Sequence, residues 1–228
     1  EPGRLKIAFS AEAPTGAPVH GDCVAAVEAV AKLCLDLGHT VEEAAPLLDE
    51  EDKNATVEVF MSLTASLMAS NMAVDYVDMI GRTPSLDDVE ISSRAMIEHG
   101  RCLSAIDIIQ AVNRMHRIGR KVAHFMVDYD VLLTPSLASP PIPLGILAPH
   151  NPDAIEHTRN IFAFAPFTPL ANITGQPAIS LPLSHNAENL PVGVHFAAGF
   201  GDEATLFRLA AQLEEAKPWA ACRPPIFG

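Results

Sequence analysis

The residues of this sequence that could act as nucleophiles or bases lack the context that would activate them. Hydrolysis by a serine needs the hydroxyl beside a general base, and the G-x-S-x-G turn that presents such a serine does not occur. None of the nine histidines stands in a recognisable nucleophile context. The serine pair Ser92-Ser93 lies in a helical pattern without glycine neighbours that would expose it, which predicts that these serines occupy ordinary helix positions and are not nucleophiles. Ester hydrolysis by Ser92 or Ser93 is therefore the least favoured of three functional hypotheses.

Metal and nucleotide sites are also disfavoured by residue spacing. The H-E-x-x-H pattern is absent, and His116 and His124 are too far apart on a predicted helix to share one ion. A phosphate-binding loop would need glycines after the first strand, where the sequence instead runs from Pro14 to Pro18. The cysteines form no C-x-x-C pair and are expected to be buried free thiols; they are Cys23, Cys34, Cys102 and Cys222. We therefore expect neither a metal nor a cofactor.

The composition limits the partners of the chain. A formal net charge of -13 and a pI near 5.0 disfavour binding to phosphate backbones, so nucleic acid is an unsuitable partner. No run of about twenty consecutive apolar residues is present, and the start at Glu1 does not resemble a signal peptide. We therefore expect a cytoplasmic protein without a membrane partner.

An α/β chain in three parts is predicted to position any site. Residues 1–45 form a strand-helix-strand unit, with strands at 5–10 and 40–44 and a helix that Asp22 caps and Gly38 ends. Residues 55–127 form a helical region with segments at 55–80, from Ser85 or Asp87 onward, and at 105–126. Methionines in the first segment are expected to fill the core; they are Met61, Met68 and Met72.

Residues 128–228 combine buried strands with proline-rich loops. The apolar run 129–135 predicts a central strand buried on both faces, and residues 191–198 predict another buried strand. Prolines predict a long ordered loop at 136–152, whereas residues 161–182 are expected to be covered by other structure although little of that stretch is regular. Asp202 caps a final helix, and the tail from Lys217 to Gly228 is expected to be irregular.

The most distinctive stretch of the chain is FTPLANITGQPAISLP at 167–182. Together with LPVGVHF at 190–196 and FGDE at 200–203, it resembles the carboxyl-terminal signature of the amidase signature family. The strands expected at 5–10 and 129–135 also stand where that family places strands, so the resemblance covers essentially the whole chain. Within the family, the chain resembles bacterial amidases of the 6-aminohexanoate-cyclic-dimer hydrolase type.

The resemblance implies a mixed β-sheet flanked by helices, of which this chain is the carboxyl-terminal portion only. It also implies amide hydrolysis through an acyl-enzyme by a Ser, cis-Ser and Lys triad, without a histidine base or a metal. In the family that triad lies in a Gly/Ser-rich region of the amino-terminal half, which nothing here matches, so no catalytic residue is assigned and the chain alone is expected to be inactive. The resemblance further implies that the later half lines the acyl pocket, and the residues assigned to substrate contact are Phe162, Phe164, Thr168, Asn172 and Ile173. For the two phenylalanines, core packing is the favoured role.

Two main hypotheses for the function follow. The first is half of an amidase that acts on a small-molecule amide once its missing amino-terminal half is present. The second is a non-catalytic module that binds a small molecule or completes a partner chain. A sheet divided between two halves would expose a strand edge and an apolar face, so we expect homo-oligomers if the chain folds alone.

Overall fold

The computed structural model describes residues 1–151 and 153–223, with a five-stranded mixed sheet at the centre. The strands are β1 (Lys6–Phe9), β2 (Thr40–Glu43), β3 (Val131–Pro135), β4 (Ala178–His185) and β5 (Pro191–Ala198). Their order across the sheet is β2-β1-β3-β5-β4. β1 runs parallel to β2 and β3, whereas β5 is antiparallel to β3 and β4. The predicted α/β class with a mixed sheet and a central β3 is confirmed.

Helices lie on both sides of this sheet. They are α1 (Gly21–Asp36), α2 (Glu50–Ala73), α3 (Asp75–Ile80), α4 (Ile91–Cys102), α5 (Ala105–Phe125), α6 (Ala154–Phe164), α7 (Thr168–Thr174) and α8 (Glu203–Ala216). Helices α1 and α8 pack against the sheet, and α2 packs against α4, α5 and α7 in a separate helical layer. The chain therefore buries two hydrophobic clusters, one between α1, α8 and the sheet and one within the helical layer.

Side-chain alternation gives the sheet two different faces. The first face carries large apolar side chains such as Ile7, Leu133 and Phe196, which are fully buried with residues of α1 and α8. Burying one such side chain stabilises a fold by about 1.5–3 kcal/mol, so this face anchors the sheet. The second face carries Ala8 and Leu132, and it becomes polar toward the carboxyl ends of β1 and β3.

Helix α2 is tied to its neighbours by a buried charge and by a close helix crossing. Asp52, which is fully buried, forms ion pairs with Lys121 and Arg117 of α5. On the other side, Gly100 of α4 lies against the α2 backbone, where an added Cβ would stand 2.1 Å from the carbonyl oxygen of Ala65. Cβ atoms essentially never come that close to backbone atoms. Helices α2 and α4 can therefore cross this closely only because residue 100 has no side chain.

The helical stretch Glu50–Ile80, 31 residues long, is apolar enough on average to cross a membrane by length and composition alone. Polar residues interrupt it throughout, which is why no continuous apolar run marks it in the sequence. Core helices of soluble proteins share this length and composition but are mostly buried, whereas 17% of the apolar window of this stretch is buried, although α2 packs against other helices of the chain. The absence of a membrane partner therefore stays a prediction.

Two local predictions were wrong. The helix α1 is capped by the side chain of His20, which accepts a hydrogen bond from the Asp22 amide, and not by Asp22. Residues 161–182 are mostly regular, because they comprise the end of α6, all of α7 and much of β4. Their prolines fit these elements: Pro169 stands in the first turn of α7, where its missing amide hydrogen needs no partner, and Pro182 lies on an edge strand.

The other elements agree with the predictions to within a few residues. The caps Ser85 and Asp202 are confirmed, although Ser85 begins a 3-10 turn (Leu86–Asp88) and the longer helix α4 follows it. Residues 136–151 contain neither helix nor strand, as predicted for that loop. The irregular tail is confirmed for residues 217–223, whereas Pro152 and residues 224–228 lie outside the described residues.

We expect the substitution Gly100→Ala to lower the free energy of unfolding by about 1–3 kcal/mol, because the new methyl group forces α4 away from α2. Gly119→Ala is the matched control: it lies within α5 and its Cβ would meet nothing within 4 Å. This control is expected to raise stability by about 0.5–1 kcal/mol through helix propensity. Urea unfolding measures both, and equal stability of Gly100→Ala and wild type would contradict the close crossing.

Candidate functional site

Polar side chains from three neighbouring strands meet on the second face of the sheet. Ser10 directly follows β1, and Thr134 of β3 is paired in register with His195 of β5. The Ser10 amide donates a hydrogen bond to the Leu133 carbonyl (3.0 Å), which holds Ser10 beside β3. These three residues line a cavity of about 380 Å³, here called the sheet cavity.

The remaining walls of the sheet cavity come from α7, from the segment before α2 and from the start of α2. Phe167 and Leu170 contribute apolar surface, and Lys53 contributes a charge. The Lys53 ammonium pairs with Glu50 at 2.6 Å, and this hydrogen bond raises the pKa of Lys53. Lys53 is therefore held in its protonated form and is unsuited to act as a base.

His195 is held as a neutral ring beside Thr134. Its Nδ1 forms a hydrogen bond of 3.2 Å with Thr134 Oγ1, and the Thr134 hydroxyl also lies 3.2 Å from the Pro135 carbonyl oxygen. The ring is 7% exposed, and this desolvation lowers the pKa of His195 to about 4. At neutral pH the ring is therefore uncharged, and its low pKa makes it a weak base.

A second hydroxyl pair extends the polar face toward the edge of the sheet. Ser136, just after β3, and Ser180 of β4 have their oxygens 2.6 Å apart. They meet over Gly193 of β5, where an added Cβ would stand 3.0 Å from each oxygen. Ser136 is buried and Ser180 is exposed, so the pair connects the interior of the sheet face with its open edge.

Gln176 fixes the connection between α7 and the sheet. Its Nε2 donates to the Ala198 carbonyl at the end of β5 (2.8 Å), and its Oε1 accepts from Thr174 (3.1 Å). The preceding Gly175 ends α7 with φ 72°, a left-handed conformation that favours glycine. These contacts position Gln176 in the wall of the sheet cavity.

The structure does not bring the five predicted contact residues together, and the described lining of the sheet cavity contains none of them. Phe162 packs edge-on against Phe60, with ring centroids 5.6 Å apart, and lines a different cavity of about 510 Å³ between α2, α4 and α6, here called the helical cavity. Asn172 and Ile173 line a shallow groove beside Phe200. The roles of all five as substrate contacts stay predictions.

The other two predicted contacts lie at helix ends. Phe164 ends α6, and its carbonyl accepts a hydrogen bond from the Ala138 amide (2.9 Å), which ties down the loop after β3. Thr168 begins α7 and is half-buried. Neither lines the sheet cavity or the helical cavity.

The residues of the sheet cavity could not be grouped from the sequence, because they come from three segments that are far apart in the chain. Thr134 and His195, for example, are 61 positions apart. The alternation Leu132, Thr134, Ser136 was a usable signal, because every second residue of a strand points to one face.

No described serine is placed as an activated nucleophile. Ser92 and Ser93 line the helical cavity together with His99 and His157, yet no hydrogen bond joins a serine to either ring among the described residues. Within residues 1–151 and 153–223, no group of three His, Cys, Asp or Glu side chains could hold a metal ion.

The four cysteines are free, but they are not all buried as predicted. Cys23 and Cys34 are buried in α1, and burial raises the pKa of these thiols to about 11 and about 12. Cys102 and Cys222 are exposed, because one ends α4 and the other lies in the tail.

Comparison with known proteins gives the family of this fold and signature. A family model described as Amidase matches residues 1–207. A putative amidase AmiC of Mycobacterium leprae is 35% identical over 190 residues, which are 83% of this chain and 39% of that protein. The 6-aminohexanoate-cyclic-dimer hydrolase of Pseudomonas sp. strain NK87 is 28% identical over 232 residues, which are 99% of this chain and 46% of the relative.

The same likeness holds in three dimensions. A solved structure of 6-aminohexanoate cyclic dimer hydrolase complexed with substrate superposes with a TM-score of 0.86 at 27% identity, and the match covers 99% of this chain and 48% of that one. The chain therefore spans about half or less of the length of the relatives it matches.

The low pKa of His195 makes stability depend on pH. The folded pKa of about 4 lies below the ordinary value of 6.5, so the unfolded chain binds a proton that the folded chain does not. Stability contributed by this residue is complete above pH 6.5 and falls as the pH drops toward 4, by about 3 kcal/mol in all.

Urea unfolding between pH 4 and 7 measures this loss. His195→Gln is expected to flatten the pH dependence, whereas His185→Gln, which removes an exposed histidine, is expected to leave it unchanged. Equal slopes for His195→Gln and wild type would show that this ring is not the group that titrates.

Proposed function

This chain belongs to the amidase family, and from that premise we propose that it is the carboxyl-terminal half of an enzyme that hydrolyses small-molecule amides. A Ser, cis-Ser and Lys triad in the amino-terminal half would supply the nucleophile, and this chain alone would be inactive. The observation that carries the proposal is a cavity on the sheet of an amidase fold, lined by the hydroxyl groups of Ser10 and Thr134, that lacks an activated nucleophile among the described residues.

The coverage of the relatives supports a division into two halves. Between 83% and 99% of the chain matches relatives and a solved structure of which it represents 39–48%. Catalysis by serine requires attack on the amide carbonyl, stabilisation of the oxyanion and release of the amine before water cleaves the acyl-enzyme. In the sheet cavity, the raised pKa keeps Lys53 protonated and the pKa of about 4 makes His195 a weak base, so the cavity is suited to bind and orient a polar group while the nucleophile comes from outside the chain.

The proposed substrate is a small amide of the kind that the name of the cyclic-dimer hydrolase describes. The sheet cavity, at about 380 Å³, is within the size range of small-molecule sites, which begins at roughly 300 Å³. The hydroxyl groups of Ser10 and Thr134, which line this cavity, can both donate and accept, which fits an amide carrying one acceptor oxygen and one donor nitrogen.

The proposal extends to location and assembly, and the assembly follows from the open edge strand β4. We place the enzyme in the cytoplasm, and we assign the edge strand β4 to contact with the amino-terminal half. The first residues of β4 favour pairing, since Ala178 and Ser180 are exposed, whereas Pro182 has no amide hydrogen to offer a neighbour.

Complementation tests the function. The purified chain is expected to show no amide turnover, and addition of the amino-terminal half of an amidase relative such as AmiC is expected to produce turnover with an acyl-enzyme detectable by intact-mass spectrometry. Changing the nucleophilic serine of the added half to alanine is the control, expected to reduce turnover by roughly 10³-fold or more.

The outcomes of complementation separate the hypotheses. A complex that forms and binds amides without any turnover would favour the non-catalytic module. Steady amide hydrolysis by the isolated chain would contradict the proposal that the nucleophile lies in the amino-terminal half.

Self-association of the isolated chain tests the assignment of the open edge. We expect sedimentation to show dimers or larger species at micromolar concentration, because β4 presents unpaired backbone groups. Ala178→Lys places a charge on that edge and is expected to weaken association by about tenfold. Glu214→Lys, an exposed change on α8, is the control. A monodisperse monomer in wild type would contradict the assignment.

A further inference from the structure

The sheet cavity has a carboxylate at its mouth that lacks a partner. Glu12, in the loop after β1, lines this cavity and is exposed. Its backbone amide donates to Ser10 Oγ (3.2 Å), whereas its carboxylate forms no hydrogen bond or ion pair with residues 1–151 or 153–223. The proposed cleavage of an amide bond gives this carboxylate no role.

The mouth carries one uncompensated negative charge. Lys53 and Glu12 are the charged side chains in the described lining of the sheet cavity. The pKa of Lys53 is raised by its hydrogen bond to Glu50 (2.6 Å) and, to a smaller extent, by the charge of Glu12, so both carboxylates act on the same ammonium. Two negative charges therefore face one positive charge, and a second cation brought to the mouth would be attracted.

Further inside the cavity, two polar groups also lack a partner. The Ser10 hydroxyl accepts a hydrogen bond from the Glu12 amide, but it donates its own hydrogen to no described residue. His195 is 7% exposed, and its Nε2 is bonded to none of the described residues, although it is not sealed off from the cavity that the ring lines. Polar groups buried in native proteins are almost always paired, so these two indicate a polar ligand.

The order of the strands places these groups relative to one another. Ser10 lies beside β3, and Thr134 of β3 is paired in register with His195, so Ser10 and His195 stand two strand spacings, or about 10 Å, apart on the second face. Glu12 follows Ser10 by two residues, which span at most about 7 Å of extended chain. A ligand whose amide reaches Ser10 can therefore reach Glu12 through a chain of a few carbon atoms.

We propose that the sheet cavity selects amides that carry a positively charged amine, with the amide oxygen accepting a hydrogen bond from the Ser10 hydroxyl and the ammonium pairing with Glu12 at the mouth. His195 Nε2 accepts a hydrogen bond from the amide nitrogen when Nδ1 carries the ring proton. This inference rests on the proposed function for the amide group, and it adds the charge of the substrate.

The first test compares four probes of one chain length by NMR titration of the purified chain. They are 5-aminopentanamide, uncharged pentanamide, pentylammonium without an amide, and glutaramate, which has a carboxylate in place of the ammonium. We expect 5-aminopentanamide to bind about threefold more tightly than pentanamide or pentylammonium, and about tenfold more tightly than glutaramate, because an exposed ion pair and one hydrogen bond each contribute modestly. Equal or tighter binding of any other probe overturns the proposal.

The second test removes the charge at the mouth. Glu12→Gln keeps the size of the side chain, and it is expected to weaken binding of 5-aminopentanamide about threefold while leaving pentanamide unchanged. Glu28→Gln, an exposed residue of α1 outside the cavity lining, makes the same change of net charge and is expected to alter neither affinity. An unchanged preference for 5-aminopentanamide in Glu12→Gln contradicts the pairing.

The third test examines the hydroxyl group and the ion pair separately. Ser10→Ala is expected to weaken both amides by a similar factor, about threefold, and to leave pentylammonium unchanged. Because Ser10 also bonds to the Glu12 amide, ionic strength provides a readout on the wild-type chain. Added salt is expected to reduce the preference for 5-aminopentanamide over pentanamide, since it screens exposed charges. A preference that salt does not change, or unchanged amide binding by Ser10→Ala, contradicts the proposal.

Failure of this inference is distinguishable from failure of the proposed function. The titrations involve no turnover, so equal binding of pentanamide and 5-aminopentanamide overturns the selection by charge and leaves amide cleavage standing. Complementation without turnover, combined with the expected order of probe affinities, overturns the cleavage and supports the selection by charge.

Discussion

The central strand β3 is buried on both faces, and this constraint decides what the rest of the sheet can carry. Val131 and Leu133 point to the apolar first face, while Leu132 and Thr134 point to the second. A polar group in the second set has lost its water and must find a partner within the sheet. Thr134 does so with His195, and the same need explains the hydroxyl pair that follows β3. The result is a neutral, hydrogen-bonding surface on an otherwise apolar sheet.

Helix α2 connects this surface to the rest of the molecule. Its first turns line the sheet cavity, and its middle lines the helical cavity. The buried Asp52 ties the start of α2 to α5 through its ion pair with Lys121. Gly100 then allows α4 to approach the same helix. The relative placement of the two cavities therefore depends on one helix held at two points.

The sequence predicted the elements better than the site. Strands and helices follow local periodicity, so β3, β5 and α5 appear at nearly the predicted positions. The stretch 161–182 was misjudged because its prolines suggest irregular chain, and only tertiary structure puts Pro169 in a first helical turn and Pro182 on a sheet edge. The five predicted contact residues are close together in the sequence, but in the structure they lie on helices α6 and α7 and face different surfaces. Pairing between distant strands, as at Thr134 and His195, is not encoded in any local pattern.

We propose that this part of an amidase fold presents a binding surface and that residues 1–151 and 153–223 hold no activated nucleophile. The most direct measurement is labelling of the purified chain with a fluorophosphonate, followed by intact-mass spectrometry, since this reagent modifies serines that a neighbouring base has activated. We expect the spectrum to show only the mass of the unmodified chain after long incubation. A stoichiometric adduct on a single serine, lost on its change to alanine, would contradict it.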